Sequence, residues 1–140
     1  MYAVDAPGEE QERDMRAVVL VVEDQVIIRM SLCDSLRDAG FHVIEASNAD
    51  EALKVLRSGA ELQLLLTDVY MPGPMDGLRL AAVAQSMRPG LKIVVASAEL
   101  SGLEASDAFP HEFVSKPFEM RRLIARLREL TGPPREPEQP

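Results

Sequence analysis

Short apolar blocks alternate with amphipathic stretches along most of this chain. Ala17–Val22 is a continuous apolar run that ends in two acids, Glu23 and Asp24. Such a run suits a strand buried on both faces of a parallel sheet. Helical spacing follows at Ile28, Leu32, Leu36 and Ala39, with Gly40 placed to stop the helix. Phe41–Ala46 reads as a second strand. Asn48 and Glu51 form a capping-box start for a helix with Ala49, Ala52, Leu53 and Leu56 on its apolar stripe, ending near Gly59. The run from Leu62 to Leu66 predicts a third strand ending at Asp68. The turn Met71-Pro72-Gly73-Pro74 leads through Asp76-Gly77 into a third helix that should bury Leu80, Val83, Ala84 and Met87 before Pro89-Gly90. Leu91–Ala96 is a fourth strand ending at Ser97, and Glu112–Ser115 a short fifth one before Lys116-Pro117. A last helix carries Met120, Leu123, Ile124, Leu127 and Leu130 on one face.

Repeated strand–helix units of this length point to an α/β fold, a parallel sheet with helices on both faces. In such sheets chemistry gathers outside the carboxyl ends of the strands. Those ends carry Glu23 and Asp24, Asp68, Ser97 and Lys116. Singly, each has an ordinary explanation, since acids cap helices, serines end strands and lysines face water. Together they make a coherent set of three carboxylates, one hydroxyl and one ammonium at one sheet edge. Hard oxygen ligands of this kind suit Mg2+. A carboxylate beside such an ion can act as a nucleophile toward a phosphoryl group, whose oxygens the lysine and serine would meet.

Composition narrows the reading further. At 140 residues with 46% hydrophobic and 27% charged residues, the chain supports one soluble domain, and only 4% aromatics make its core aliphatic. The net charge of −8 argues against nucleic-acid or anionic-membrane binding. No apolar run approaches membrane-spanning length and no signal-peptide pattern opens the chain, so the cytoplasm is the expected compartment. The one cysteine, Cys33, allows no intramolecular disulfide. Residues 1–16 are acidic and residues 131–140 Pro-rich, and between them they carry half the net charge. Both are expected to be disordered tails flanking a domain at 17–130. The chain is read as complete, with no output domain after Leu130. His42 and His111 stand apart from any second ligand, and the arginines of the last helix read as a solvated face at least as readily as a partner surface.

In four ordered motifs the chain resembles the receiver domain of two-component response regulators, over essentially residues 17–130. The matching segments are VVLVVEDQ (18–25), LLLTDVYMPGPMDG (64–77), IVVASA (93–98) and FVSKPF (113–118). The resemblance implies a flavodoxin-like, doubly wound (βα)5 fold with a five-stranded parallel sheet. It implies that Asp68 is phosphorylated by a sensor histidine kinase or a histidine phosphotransfer protein. Asp24 would bind Mg2+ directly, Glu23 largely through water, and the backbone carbonyl of Tyr70 would join Asp68 as a further ligand. Lys116 would pair with the phosphoryl group, Ser97 would hydrogen-bond it, and Phe113 would sit at the aromatic switch position. For Phe113 an ordinary strand residue packing on the last helix is an equal alternative. The Lys116–Pro117 peptide is expected to be cis.

Three departures from the family pattern stand out. Gly73-Pro74 makes the phosphoacceptor loop one residue longer than usual. Ser97 and Lys116 are close in sequence, and residues 100–110 have a weak period, so a short or irregular fourth helix is expected there. Phe113 lacks the hydroxyl of the commoner tyrosine, which leaves switching to packing. The implied function is that of a single-domain response regulator in a phosphorelay, a signalling protein whose own chemistry is limited to self-catalysed aspartyl phosphorylation and dephosphorylation. One alternative is a receiver-like interaction module that works without phosphorylation. Another is a Mg2+-dependent phosphohydrolase with an aspartyl-phosphate intermediate, which the residue at position 70 disfavours, since such enzymes usually carry a second Asp there.

Overall fold

The computed structural model describes residues 16–98 and 112–132. Strands β1 (Val18–Val22), β2 (His42–Ala46), β3 (Leu64–Asp68), β4 (Lys92–Ser97) and β5 (Glu112–Ser115) pair in parallel in the order β2-β1-β3-β4-β5. Helices α1 (Val26–Asp38), α2 (Ala49–Arg57), α3 (Gly77–Met87) and α4 (Met120–Thr131) cover the sheet. The flavodoxin-like, doubly wound α/β architecture is therefore present. The segment 100–110, where a short or irregular fourth helix is expected, lies outside the described residues. So do His111 and nearly all of both expected tails.

Alternation along the strands divides the core into two layers. Leu20, Val22, Leu65, Ile93 and Val95 point to the face covered by α2 and α3, where they meet Ala52, Leu53, Leu56, Leu80, Ala81 and Ala84. Val19, Val21, Leu64, Leu66, Val94 and Ala96 point to the other face and meet Leu32, Cys33 and Leu36 of α1 with Leu123 and Leu127 of α4. Leu20, Leu64, Leu65 and Leu66 are almost wholly buried, and burial of each contributes about 1.5–3 kcal/mol. This clamps β1 and β3 at the centre of the sheet and fixes where their carboxyl ends emerge.

Several element boundaries have local causes. β3 starts at Leu64, two residues after the apolar run begins. Gln63 is occupied instead: its side-chain oxygen accepts from the Val18 N–H at 2.7 Å, and its own N–H donates to the Val18 carbonyl at 2.9 Å. The α2 start uses Asn48, which accepts from the Glu51 N–H at 2.8 Å. The return bond of the expected capping box is shifted by one residue, because the Glu51 carboxylate takes the Ser47 N–H at 2.7 Å. Those bonds to Ser47 hold the Glu51 carboxyl below its ordinary pKa. Gly40 follows α1 with φ of +100°, a conformation that favours glycine. On α3, Leu80 and Ala84 are buried as expected, Val83 only partly so, and Ala81 is buried as well; Met87, also expected in the core, sits at the helix's last position and is exposed. Cys33 is buried among aliphatic side chains, and burial above all pushes its thiol up to about 11, which makes it a core residue and a poor nucleophile.

Candidate functional site

Strand order reverses between β1 and β3, since β2 lies to one side of that pair and β4 to the other. Grooves at such reversals are where parallel α/β sheets bind ligands. Glu23 and Asp24 follow directly on β1, and Asp68 is the last residue of β3. The register pairs Val22 with Thr67, Asp68 with Ala96 and Ser97 with Ser115, so the ends of four neighbouring strands fall at one level. The structure thus brings Glu23, Asp24, Asp68, Ser97 and Lys116 to one edge.

Glu23 is the most enclosed of the acids, at 2% exposure. Its N–H donates to the Ala46 carbonyl at 3.1 Å, which ties it to the end of β2. One carboxylate oxygen accepts from the Gln25 N–H at 3.1 Å, and the other accepts from Lys116 Nζ at 3.0 Å. The same ammonium donates to Asp68 Oδ2 at 3.2 Å. Lys116 therefore bridges the two acids, with its side chain largely enclosed. Burial by itself lowers the Lys116 pKa, but the hydrogen bond to Glu23 and the charges of Asp68 and Glu23 outweigh it, and the net shift is upward. The stability this gives is complete below the pKa of an unfolded lysine and is lost only as pH rises through the higher folded value. At neutral pH the ammonium is fully in place.

Lys116 is itself held by backbone. Its N–H donates to the Ser97 carbonyl at 3.0 Å, and the Lys116–Pro117 peptide is cis. Ser97 is fully buried at the end of β4. Phe113 pairs in register with Val95 and packs with it on the α2/α3 side of the sheet. This rules out one of the two readings of Phe113, packing on the last helix, since that helix lies on the opposite face with Val114. A four-residue strand is too short for its own pattern to tell the faces apart; the register with β4 decides. The Tyr70 side chain is 66% exposed in the loop after β3.

Two residues outside the expected set of site residues also shape the site. Gly77, the first residue of α3, donates its N–H to the Val69 carbonyl at 2.8 Å. A Cβ at Gly77 would lie 1.7 Å from the Asp68 carbonyl oxygen. Only glycine lets α3 start against the end of β3, and Asp76 caps that start by accepting from the Arg79 N–H at 2.9 Å. Arg29, on the first turns of α1, donates to the Glu23 carbonyl at 2.8 Å. Its only signal in the sequence is a cation standing alone among Val26, Ile27, Ile28 and Met30.

Oxygen atoms from Glu23, Asp24 and Asp68 all lie within 4.8 Å of one another. Three carboxylates, with one ammonium bridging two of them, leave an excess of negative charge at a partly enclosed edge. Their oxygens are hard donors, and the set fits Mg2+, which takes a few protein carboxylates and keeps several waters.

Comparison with known proteins points to one family. The family model described as the response regulator receiver domain matches residues 19–128. The response regulator receiver protein CpdR of Brucella abortus is 35% identical over 116 residues, which cover 80% of this chain and 94% of that protein. The sensor kinase CckA of Brucella abortus is 30% identical over 145 aligned positions, and the match covers 91% of this chain but only 15% of the kinase. The chain likewise matches a quarter of the length of the transcriptional regulator NtrC from Bradyrhizobium. Among solved structures, a response regulator receiver protein from Sinorhizobium medicae superposes with a TM-score of 0.75 at 27% identity, over 83% of this chain and 94% of that one. TrrA from Thermotoga maritima, solved in complex with Mg2+ and BeF, superposes with a TM-score of 0.73 at 30% identity, over 81% of this chain and 98% of that one. No helix among the described residues is long and apolar enough to cross a membrane. Motif, sheet order, edge chemistry and sequence kinship converge, and the chain belongs to the response regulator receiver domain family of two-component signalling proteins.

Proposed function

We propose that this chain acts as a single-domain response regulator in a phosphorelay, with Asp68 accepting a phosphoryl group from a sensor histidine kinase or a histidine phosphotransfer protein. The observation that carries this reading is the cluster of Glu23, Asp24 and Asp68 with Lys116 bridging two of them. Similarity to CpdR over nearly all of that protein supports the stand-alone form. The domain would span 17–130, with 1–16 and 131–140 as tails, in a cytoplasmic protein. The exposed apolar residues Val26, Ile27 and Met30 on α1, just past Asp24, give a phosphodonor a surface to rest on beside the site.

In the reaction an Asp68 carboxylate oxygen attacks phosphorus, an O–P bond forms, and the bond from phosphorus to the donor breaks. Glu23, Asp24, Asp68 and the Tyr70 backbone carbonyl are the groups that would hold Mg2+. When bound, the ion supplies positive charge against the phosphoryl and carboxylate oxygens. Lys116, already at Asp68 Oδ2, would transfer its ammonium to a phosphoryl oxygen. Ser97 would donate its hydroxyl to another. The added charge biases a pre-existing two-state equilibrium, read through Ser97 and the packing of Phe113, and so changes which protein the domain binds.

Incubation with acetyl phosphate and Mg2+ tests this reading by intact mass. One added phosphoryl group that depends on Mg2+ is the expected result. An unchanged mass in a folded protein that still binds Mg2+ would favour an interaction module independent of phosphorylation.

A further inference from the structure

We infer that Arg29 is a positioning residue that orients the Glu23–Asp24 pair for a divalent cation, and that Glu45 on β2 orients Arg29 in turn. The inference rests on the proposed metal site and concerns how that site is held open in the right shape.

Helical side chains lean toward the helix N-terminus, and Arg29 accordingly reaches back over the turn between β1 and α1. One end of its guanidinium donates to the Glu23 carbonyl at 2.8 Å. Its Nε donates to Glu45 Oε1 at 3.2 Å. Glu45 is fixed from its other oxygen by Arg37, at 3.0 Å. The Arg29 side chain is 16% exposed and its bond to the Glu23 carbonyl is partly shielded from water, while the pair with Glu45 lies at the surface. The carbonyl that Arg29 holds belongs to the peptide unit joining Glu23 to Asp24. Pinning that plane sets the direction in which Asp24 leaves the chain. The α1 start makes this necessary, because Gln25 gives no side-chain cap and the first turn contains no acid.

Position and charge pull in opposite directions here, which makes the inference testable. A guanidinium near a metal site repels a divalent cation, so if charge alone mattered, removing Arg29 would tighten Mg2+ binding. If orientation dominates, removal weakens it. Groups that orient metal ligands typically change affinity by about 10–100-fold when lost; Arg29 acts through the backbone, which puts the expected loss near the low end.

The experiment is Mg2+ titration by calorimetry, well below the unfolding temperature, on the full chain as wild type, Asp24→Asn, Arg29→Ala, Arg29→Lys and Glu45→Gln, with circular dichroism to verify folding. In the expected result the wild type binds one Mg2+ and Asp24→Asn does not. Arg29→Ala then weakens binding about tenfold, with partial recovery in Arg29→Lys and a smaller loss in Glu45→Gln. A merely structural arginine would lower the melting temperature and leave the Mg2+ affinity of the folded protein unchanged. Equal or tighter binding in folded Arg29→Ala overturns the inference and leaves the metal site standing. Should Arg29→Ala fail to fold, wild-type affinity in both Arg29→Lys and Glu45→Gln overturns it equally. Absence of Mg2+ binding in the wild type would overturn the metal site itself, and the inference with it.

Discussion

Lys116→Ala is expected to lower the stability of the Mg2+-free protein by about 2–4 kcal/mol, because it strands two enclosed carboxylates without their shared cation. The ammonium lies 3.0 Å from Glu23 and 3.2 Å from Asp68, and the two acid side chains are only 3% and 11% exposed. Loss of one partner from an enclosed pair exposes the full cost of desolvating the other, which exceeds the net value of the pair. The measurement is the urea midpoint at constant m-value. Saturating Mg2+ should recover part of the deficit, since it restores positive charge among the same oxygens, and the Mg2+-induced rise in midpoint should be larger in the variant than in the wild type. Phosphorylation of the variant by acetyl phosphate should slow by about tenfold or more, from the loss of the cation that faces the phosphoryl oxygens. A variant as stable as the wild type without Mg2+ would mean that Glu23 and Asp68 find water or another donor at no cost.

Gly77→Ala should destabilise the protein by about 2–4 kcal/mol through overpacking, a large effect for one methyl group. The added carbon would meet the Asp68 carbonyl oxygen at 1.7 Å and the Asp68 carbonyl carbon at 2.7 Å, both backbone atoms that no rotamer change can move. Either the start of α3 lifts from the sheet, breaking the Gly77 N–H bond to Val69, or the end of β3 shifts and takes Asp68 with it. Both routes disturb the phosphoacceptor, so phosphorylation per folded molecule should fall together with stability. Gly73 provides the control. It has φ of +106° and open space around its missing Cβ, so Gly73→Ala meets only the conformational cost, about 1 kcal/mol, with little change at Asp68. Equal, small effects at both glycines would show that α3 can move freely against β3.

Much of this fold was legible in the chain because buried parallel strands and amphipathic helices leave different periods. The runs ending in Glu23, Asp68 and Ser97 are aliphatic and nearly continuous, and the register sets their polar ends side by side. The five polar strand-end residues could be gathered from that logic alone. Other features were hidden for physical reasons. The first five residues of α1 include exposed Val26, Ile27 and Met30, which blur the apolar stripe and delay its apparent start to Ile28. Arg29 acts on a turn carbonyl, a contact with no periodic trace, and the partner that orients it lies on another strand. The glycine requirement at position 77 comes from the approach of two distant segments, not from local backbone conformation, since its φ is not positive. For Phe113 the alternative of packing on the last helix fails, and a pattern could not exclude it, because β5 is short and its facing depends on pairing with β4.

The most direct test of the central claim is to find where the phosphoryl group goes. The full chain, incubated with acetyl phosphate and Mg2+, would be treated with borohydride, which reduces an aspartyl phosphate to homoserine, and then digested and mapped by mass spectrometry. Homoserine at position 68 alone, absent without Mg2+ and absent in Asp68→Ala, is the expected result. Homoserine at Asp24 or another aspartate, the corresponding alcohol at a glutamate, or a phosphorylated product in Asp68→Ala would contradict the assignment of Asp68 as the phosphoacceptor.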